Sequence, residues 1–270
     1  MLANAFAYGQ RLPLGKLAYW TLTLALLAFS QLLQPRANLG IVGKSTPVAS
    51  LEDRISGDPL EFSAAELQHL QQRFGVHGPQ PRLAQLFTAG LDHLEPLRGV
   101  TYERLEDLRP IVVRQSRKHQ VNPMLVMAVL FDELQHVKPG ETTSLAAQSG
   151  LFSTLGPAQL GLGEMTHQGL LGTDPTPTEV QQARERLLDP EFNVTLLVGK
   201  FARLSKDLGY PRGHLLSASA SRRDAKSLAV LAYLHNGKLD YPRRILRYMQ
   251  DPQLHALLYG ERKRATSALI

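Results

Sequence analysis

"VNPMLVMAVLFDELQHVKPG", residues 121–140, decides how this chain folds. Asn122 followed by Pro123 is a helix start, because the Asn side chain accepts from the first free amides and proline suits the first helical position. Residues 124–131, MLVMAVLF, contain no polar side chain, so this helix has no face to offer water and is expected to be buried all round. It then ends on two acids, Asp132 and Glu133. A helical step of about 100° separates them, so they point differently. Val126, Val129, Leu130 and Glu133 fall in one row, which sets Glu133 at the end of an apolar wall. Desolvation favours the neutral carboxyl and raises its pKa, each unit corresponding to about 1.4 kcal/mol. An acid held protonated near neutrality can protonate a leaving oxygen, which is the general-acid role in glycoside cleavage. The same pair of acids also suits a helix that merely reaches solvent at this point.

Outward from this helix, the punctuation is helical on both sides. Ser63-x-x-Glu66 is a capping box opening a helix that stops at Gly75. A second helix is expected over 82–95, and a third from Thr101 to His119 with a kink or break at Pro110. Residues 138–156 read as a loop dense in Gly, Ser and Thr, after which Pro157 fits the first position of a helix, PAQLGLGEMTHQGL. Thr176-Pro177-Thr178-Glu179 is another capping box, leading to Leu188, and Asp189-Pro190 opens a helix to Gly209. Residues 224–235 form a further helix, stopped by Asn236-Gly237, and a final pair covers 241–250 and 252–259. No stretch alternates with period two and no repeat is visible. The expected fold class is mainly α.

The 270 residues, 43% of them apolar, suffice for one sizeable core or two small ones. A net charge of +6 favours anionic surroundings, but the basic residues are spread along the chain rather than clustered, so no nucleic acid is expected as a partner. The absence of cysteine excludes disulfides and thiolate chemistry. Residues 17–33, LAYWTLTLALLAFSQLL, are uncharged and follow Arg11 and Lys16. As a helix they would span roughly 25 Å, the short end of a bilayer crossing. They read as a retained membrane anchor, as a signal peptide cleaved after a site such as Ala28-Phe29-Ser30, or as a buried core helix. The expected organisation is a membrane segment or signal over 1–33, a linker over 34–58, a small helical region over 59–105, a main helical domain over 106–260 and a basic tail over 261–270.

Four stretches, in order, resemble the soluble lytic transglycosylase and goose-type lysozyme family. HQVNPMLVMAVLFDE resembles its catalytic helix, and TLGPAQLGLGEM its "G-L-M-Q-I-x-P" segment. LLDPEFNVTLLVGKFARL is similar to "D-P-x-x-N-I-x-x-G-x-x-Y-L", and LAVLAYLHNGKLDYPRRILRYM to the "A-A-Y-N-A-G" helix and the segment after it. The resemblance implies a lysozyme-like helical domain over 106–260. It implies a role at peptidoglycan glycan strands in the cell envelope, on the periplasmic or extracellular side of the membrane. Glu133 would be the catalytic carboxyl, with Gly156, Gln159, Tyr233 and Asn236 as substrate-side residues and no metal or cofactor. Gln159 would hydrogen-bond sugar groups or serve as a local cap partner. Tyr233 would orient the Glu133 carboxyl or pack in the core, and Asn236 would bind glycan or only end its helix. Asn193 reads as structural.

In a transglycosylase one carboxyl acts first as acid and then as base, while the sugar's own 6-hydroxyl attacks and leaves a 1,6-anhydro end. Hydrolysis with inversion needs a second carboxylate about 6.5–9.5 Å away, for which Glu141 and Glu164 are the candidates. The chain departs from the family pattern at Leu134, where the family has Ser, at the G-P-A-Q of the second stretch, and at Leu234-His235, which lengthens the Tyr-to-Asn spacing. Those departures also suit a non-catalytic glycan-binding or scaffold protein of the same fold. ELQH occurs twice, at 66–69 and 133–136, and a pair of Glu-x-x-His helices is part of the di-iron carboxylate pattern. No H-E-x-x-H, G-x-S-x-G or P-loop is present.

Overall fold

Most helix starts foreseen in the sequence recur at the same residues. The computed structural model describes residues 58–76, 95–137, 143–150, 152–211, 213 and 221–260, all within the compact unit Ser50–Ile270. Over these residues the chain is mainly α, in the order α1 (Ala64–Phe74), α2 (Glu95–His119), α3 (Pro123–Gln135), α4 (Ser144–Ser149), α5 (Leu162–His167), α6 (Pro177–Leu188), α7 (Pro190–Asp207), α8 (Arg222–Asn236), α9 (Tyr241–Tyr248) and α10 (Pro252–Tyr259).

The quoted helix is α3, and it is the centre of the core. Asn122 Oδ1 accepts from the amides of Met124 and Leu125 at 2.8 and 3.1 Å. Every α3 residue except Pro123 and Glu133 is buried. The helix is enclosed by α2, α9 and α10, while α2 also lies along α7. Phe131 sits between Tyr102 and Tyr248, with ring centroids 5.2 and 4.9 Å away. Burying each such large apolar side chain is worth about 1.5–3 kcal/mol, so the apolar run 124–131 of α3 supplies a large share of the core. Ion pairing of Arg98 with Asp251 at 3.0 Å ties α2 to the start of α10.

Local capping works as expected at α6, where Thr176 and Glu179 form both halves of a capping box, and at α7, where Asp189 Oδ1 accepts from Phe192 N at 2.6 Å. At α1 only half the box forms. Ser63 accepts from Glu66 N, but the Glu66 carboxylate pairs with Lys226 at 3.0 Å instead of returning to the cap. Gly75 and Gly237 end α1 and α8 in the left-handed conformation, at φ 66° and 79°.

Three expectations need correction. The helix expected from Thr101 starts at Glu95 and runs through Pro110 without a break. Proline removes one helical hydrogen bond, but buried Leu105, Leu108 and Val112 on either side hold the helix to the core. The proposed boundary between residues 105 and 106 therefore falls inside α2, with Leu105 wholly buried in the common core. Pro157 does not start a helix either. Residues 155–160 form a tight turn closed by reciprocal Leu155–Leu160 backbone hydrogen bonds of 2.9 and 3.1 Å, and α5 begins only at Leu162. Gly156 and Gln159 have φ of 75° and 46°, and a helix cannot pass through such residues. Within the loop expected over 138–156, Ser144–Ser149 is helical.

The segments 1–33 and 34–57, the expected 82–95 helix up to residue 94, and the 261–270 tail lie outside the described residues. Among the described residues no helix is long and apolar enough to cross a membrane.

Candidate functional site

Both acids at the end of α3 turn inward, to different partners. Asp132 is the deeper, its side chain 3% exposed, and it takes a two-pronged ion pair from Arg244 of α9, with Nε–Oδ1 and Nη2–Oδ2 both at 3.0 Å. The guanidinium also donates to Asp240 Oδ2 at 3.1 Å. This planar pairing fixes the rotation of α9 against α3. Tyr241 lies three residues before Arg244 on the same helix face, with the guanidinium 5.4 Å from its ring centroid. Its hydroxyl therefore reaches α3 and donates to Glu133 Oε1 at 2.8 Å.

The end of α8 supplies the remaining donors. His235 Nε2 lies 3.4 Å from Glu133 Oε1, and Asn236 Nδ2 lies 3.5 Å from the same oxygen. The His235 ring is wedged between Phe201 and Tyr241, at 5.7 and 5.9 Å. Its Nδ1 is buried without a hydrogen-bond partner among the described residues, so the ring's polar contact is directed at Glu133. Gly237 then turns the chain so that α8 and α9 both face the carboxyl.

All of these contacts use Oε1. No hydrogen bond or ion pair to Glu133 among the described residues uses Oε2, and the side chain stays 12% exposed. The result is a carboxyl held by one oxygen with the other left open.

Electrostatics reverse one expectation. Burial pushes the Glu133 carboxyl up, but the contacts with His235 and Tyr241 and the nearby Lys238 charge outweigh it and hold the group below its ordinary range. Burial, with help from the Lys200 charge, pushes the His235 imidazole down despite the pull of Glu133. The two shifts favour an ionised carboxylate beside a neutral imidazole. Burial and the Glu133 charge push the Tyr241 hydroxyl well up, so it stays a donor.

The other site residues named from sequence fall elsewhere. Tyr233 is wholly buried, with its ring 5.4 Å from that of Phe62 and its hydroxyl accepting from Gln71 Nε2 at 3.2 Å. It makes no bond to Glu133, and Tyr241 takes the orienting place foreseen for it. Gly156 and Gln159 build the 155–160 turn. A Cβ on Gly156 would collide with the Leu187 carbonyl oxygen and the Asn193 side-chain amide. The Gln159 amide is engaged at both ends, accepting from Thr154 Oγ1 at 2.8 Å and donating to the Gly156 carbonyl at 3.1 Å. Asn193 is structural, as expected: it accepts from Ala158 N and donates to the Leu155 and Leu187 carbonyls. Only Asn236 joins Glu133.

Of the candidates for a second carboxylate, Glu164 is taken up by Arg203 Nη2, at 2.8 and 3.1 Å, and by Gln168 Nε2 at 2.9 Å. Glu141 lies outside the described residues. Glu66 and Glu133 of the two ELQH segments have separate partners, Lys226 and Tyr241. Among the described residues no three of His, Cys, Asp or Glu gather in a way that could hold a metal ion.

Sequence reasoning missed Tyr241, His235 and the Asp132–Arg244 pair. The Tyr241–Arg244 spacing, one helical turn after a proline-marked start, is a legible signal for two side chains on one face. Compared with family models, with curated proteins and with solved structures, the chain matches none.

Proposed function

We propose that the chain is a peptidoglycan lytic transglycosylase of lysozyme-like fold, tethered through residues 17–33 with its helical domain outside the cytoplasm. Glu133 cleaves the β-1,4 bond between MurNAc and GlcNAc. The observation that carries this reading is the one-sided hold on Glu133: Tyr241, His235 and Asn236 converge on Oε1 while Oε2 is open. A carboxyl that must give up a proton and take another back needs a fixed orientation and one unoccupied oxygen. In the first step the proton on Oε2 passes to the glycosidic oxygen, the bond from MurNAc C1 to that oxygen breaks, and GlcNAc leaves with a free 4-hydroxyl. In the second, the MurNAc 6-hydroxyl oxygen bonds to C1 and its proton returns to Oε2, giving the 1,6-anhydro end. Tyr241 and His235 steady the negative charge on the carboxyl between the two steps.

The donors that hold Glu133 ionised work against the first step. A sugar seated over Oε2 removes the remaining water and pushes the carboxyl back up. The free protein nevertheless starts from a lowered value, so cleavage is expected to favour acidic pH. The same donors favour the second reading, a non-catalytic glycan-binding protein. Digestion of purified sacculi with subsequent mass spectrometry tests both. The expected products are 1,6-anhydro muropeptides, lost in Glu133→Gln while circular dichroism shows the helical fold intact. Reducing ends would indicate hydrolysis, and binding without products would establish the second reading.

A further inference from the structure

One face of α2 is turned to water, and the charges on it are sorted rather than mixed. Glu103, Glu106 and Asp107 stand in the first half of the helix, Pro110 follows, and Arg114, Arg117 and Lys118 stand in the second half, all of them exposed. Steps of three and four residues link these positions, so they form one stripe along the helix. Neither the three acids nor Arg117 and Lys118 have an ion pair among the described residues. Arg114 pairs with Glu191, but both side chains are more than half exposed, and such a pair is worth little. Of the arginines beside the acids, Arg109 turns its Nε to the Leu258 carbonyl at 3.1 Å, and Arg104 has no ion pair among the described residues.

A helix that faces only water gains from acids and bases set four residues apart. Here like charges occupy that spacing, Glu103 with Asp107 and Arg114 with Lys118, and each cluster repels itself. The helix dipole does not account for the acids. It acts within the first and last turns, whereas Glu103 lies about two turns beyond the start at Glu95.

The two clusters are placed almost symmetrically about Pro110. At about 1.5 Å per residue, the acids lie about 5–11 Å to one side of it and the cations about 6–12 Å to the other. A second α2 crossing antiparallel at Pro110 therefore sets the acids of each copy against the cations of the other. A parallel copy would set acid against acid. A flat anionic surface such as a lipid bilayer suits the cations but also meets the three acids. On the basic half a groove of about 440 Å³, with Pro110 and Val113 as its floor and Arg109, Arg114, Arg117 and Lys118 as its walls, offers the place where acidic side chains of another copy can enter.

We propose that two copies of this chain associate through α2, antiparallel about Pro110, with Glu103, Glu106 and Asp107 of each copy facing Arg114, Arg117 and Lys118 of the other. The proposal is independent of the peptidoglycan reading. One helix face buries less than the about 1,200–2,000 Å² of a stable specific interface, so the dimer is weak and held largely by charge.

The chain has no cysteine, so single cysteines can report the register. Full-length Glu106→Cys and Arg117→Cys proteins, in a mild non-ionic detergent, are treated with a short bis-maleimide, separately and as an equimolar mixture. The mixture should give a cross-linked dimer that neither variant gives alone. Cross-linking of each variant with itself to the same extent as in the mixture overturns the proposal, since a parallel or random encounter would produce it. Sedimentation velocity then reads the charges. Self-association of the wild type should weaken at least tenfold when ionic strength rises from about 0.05 to about 0.5 M. It should be lost in Glu106→Lys/Asp107→Lys and in Arg114→Glu/Arg117→Glu, both with wild-type circular dichroism, and return when the two double variants are mixed. A wild type that stays monomeric, or a dimer that survives both reversals, overturns the proposal.

Discussion

Replacing Tyr241 by Phe isolates the shortest hydrogen bond that holds the Glu133 carboxyl. The ring is wholly buried between His235 and the Arg244 guanidinium, so Phe fills the same space and leaves no cavity. What disappears is one hydroxyl donating to Glu133 Oε1 at 2.8 Å. A hydrogen bond to a charged group contributes about 1.5–3 kcal/mol, against about 1 kcal/mol for a neutral pair. The sign comes from the direction of the Glu133 shift. Its folded pKa is lowered, so it adds stability that is fully present above the unfolded carboxyl value and is lost as pH falls through the folded one. Tyr241→Phe removes part of that lowering. The variant should be less stable by about 1.5–3 kcal/mol at pH 7, and the deficit should shrink to about 1 kcal/mol once Glu133 is protonated in both proteins.

Urea denaturation at pH 7 and at successive points down to the acid limb measures this directly. Because the ionised form loses more than the protonated one, the same substitution raises the Glu133 pKa. The alkaline limb of the pH profile for muropeptide release should move up correspondingly, so that activity near neutrality increases even as the fold weakens. A deficit independent of pH would refute the reasoning, because it would show that the hydroxyl supports packing rather than the charge on Glu133.

The same geometry gives two further outcomes. Arg244→Met leaves Asp132 as a buried carboxylate without its main partner, and should cost about 3–5 kcal/mol in urea denaturation, whereas pairing it with Asp132→Leu should restore much of the loss. Gly156→Ala places a Cβ against the Leu187 carbonyl and the Asn193 amide at a φ of 75°, and should lower stability by more than about 2 kcal/mol, read as a fall in melting temperature of several degrees.

The residues legible in the sequence are those whose partners lie within a turn of chain. Asn122 caps the amides of Met124 and Leu125, Thr176 exchanges bonds with Glu179, and Gly237 ends α8 in a conformation that glycine adopts without strain. The 155–160 turn escapes such a reading because Pro157 carries the local signal of a helix start, while the Ala158 amide is claimed by Asn193, 35 residues away. Tyr233 escapes it for a related reason. On α8 it faces Gln71 and Phe62, whereas His235 and Asn236, a few residues on, have rotated round to Glu133.

By itself, then, the sequence determined that a helix without a polar face must lie at the centre of a mainly α fold, since nothing else removes 124–131 from water. It also determined that an acid stands at that helix's end. The charge state of the acid and its companions were decided by tertiary structure. Tyr241 and His235 come from more than a hundred residues away, and the pKa of Glu133 is a balance between burial, which the sequence displays, and those donors, which only the packing of α8 and α9 brings to Oε1.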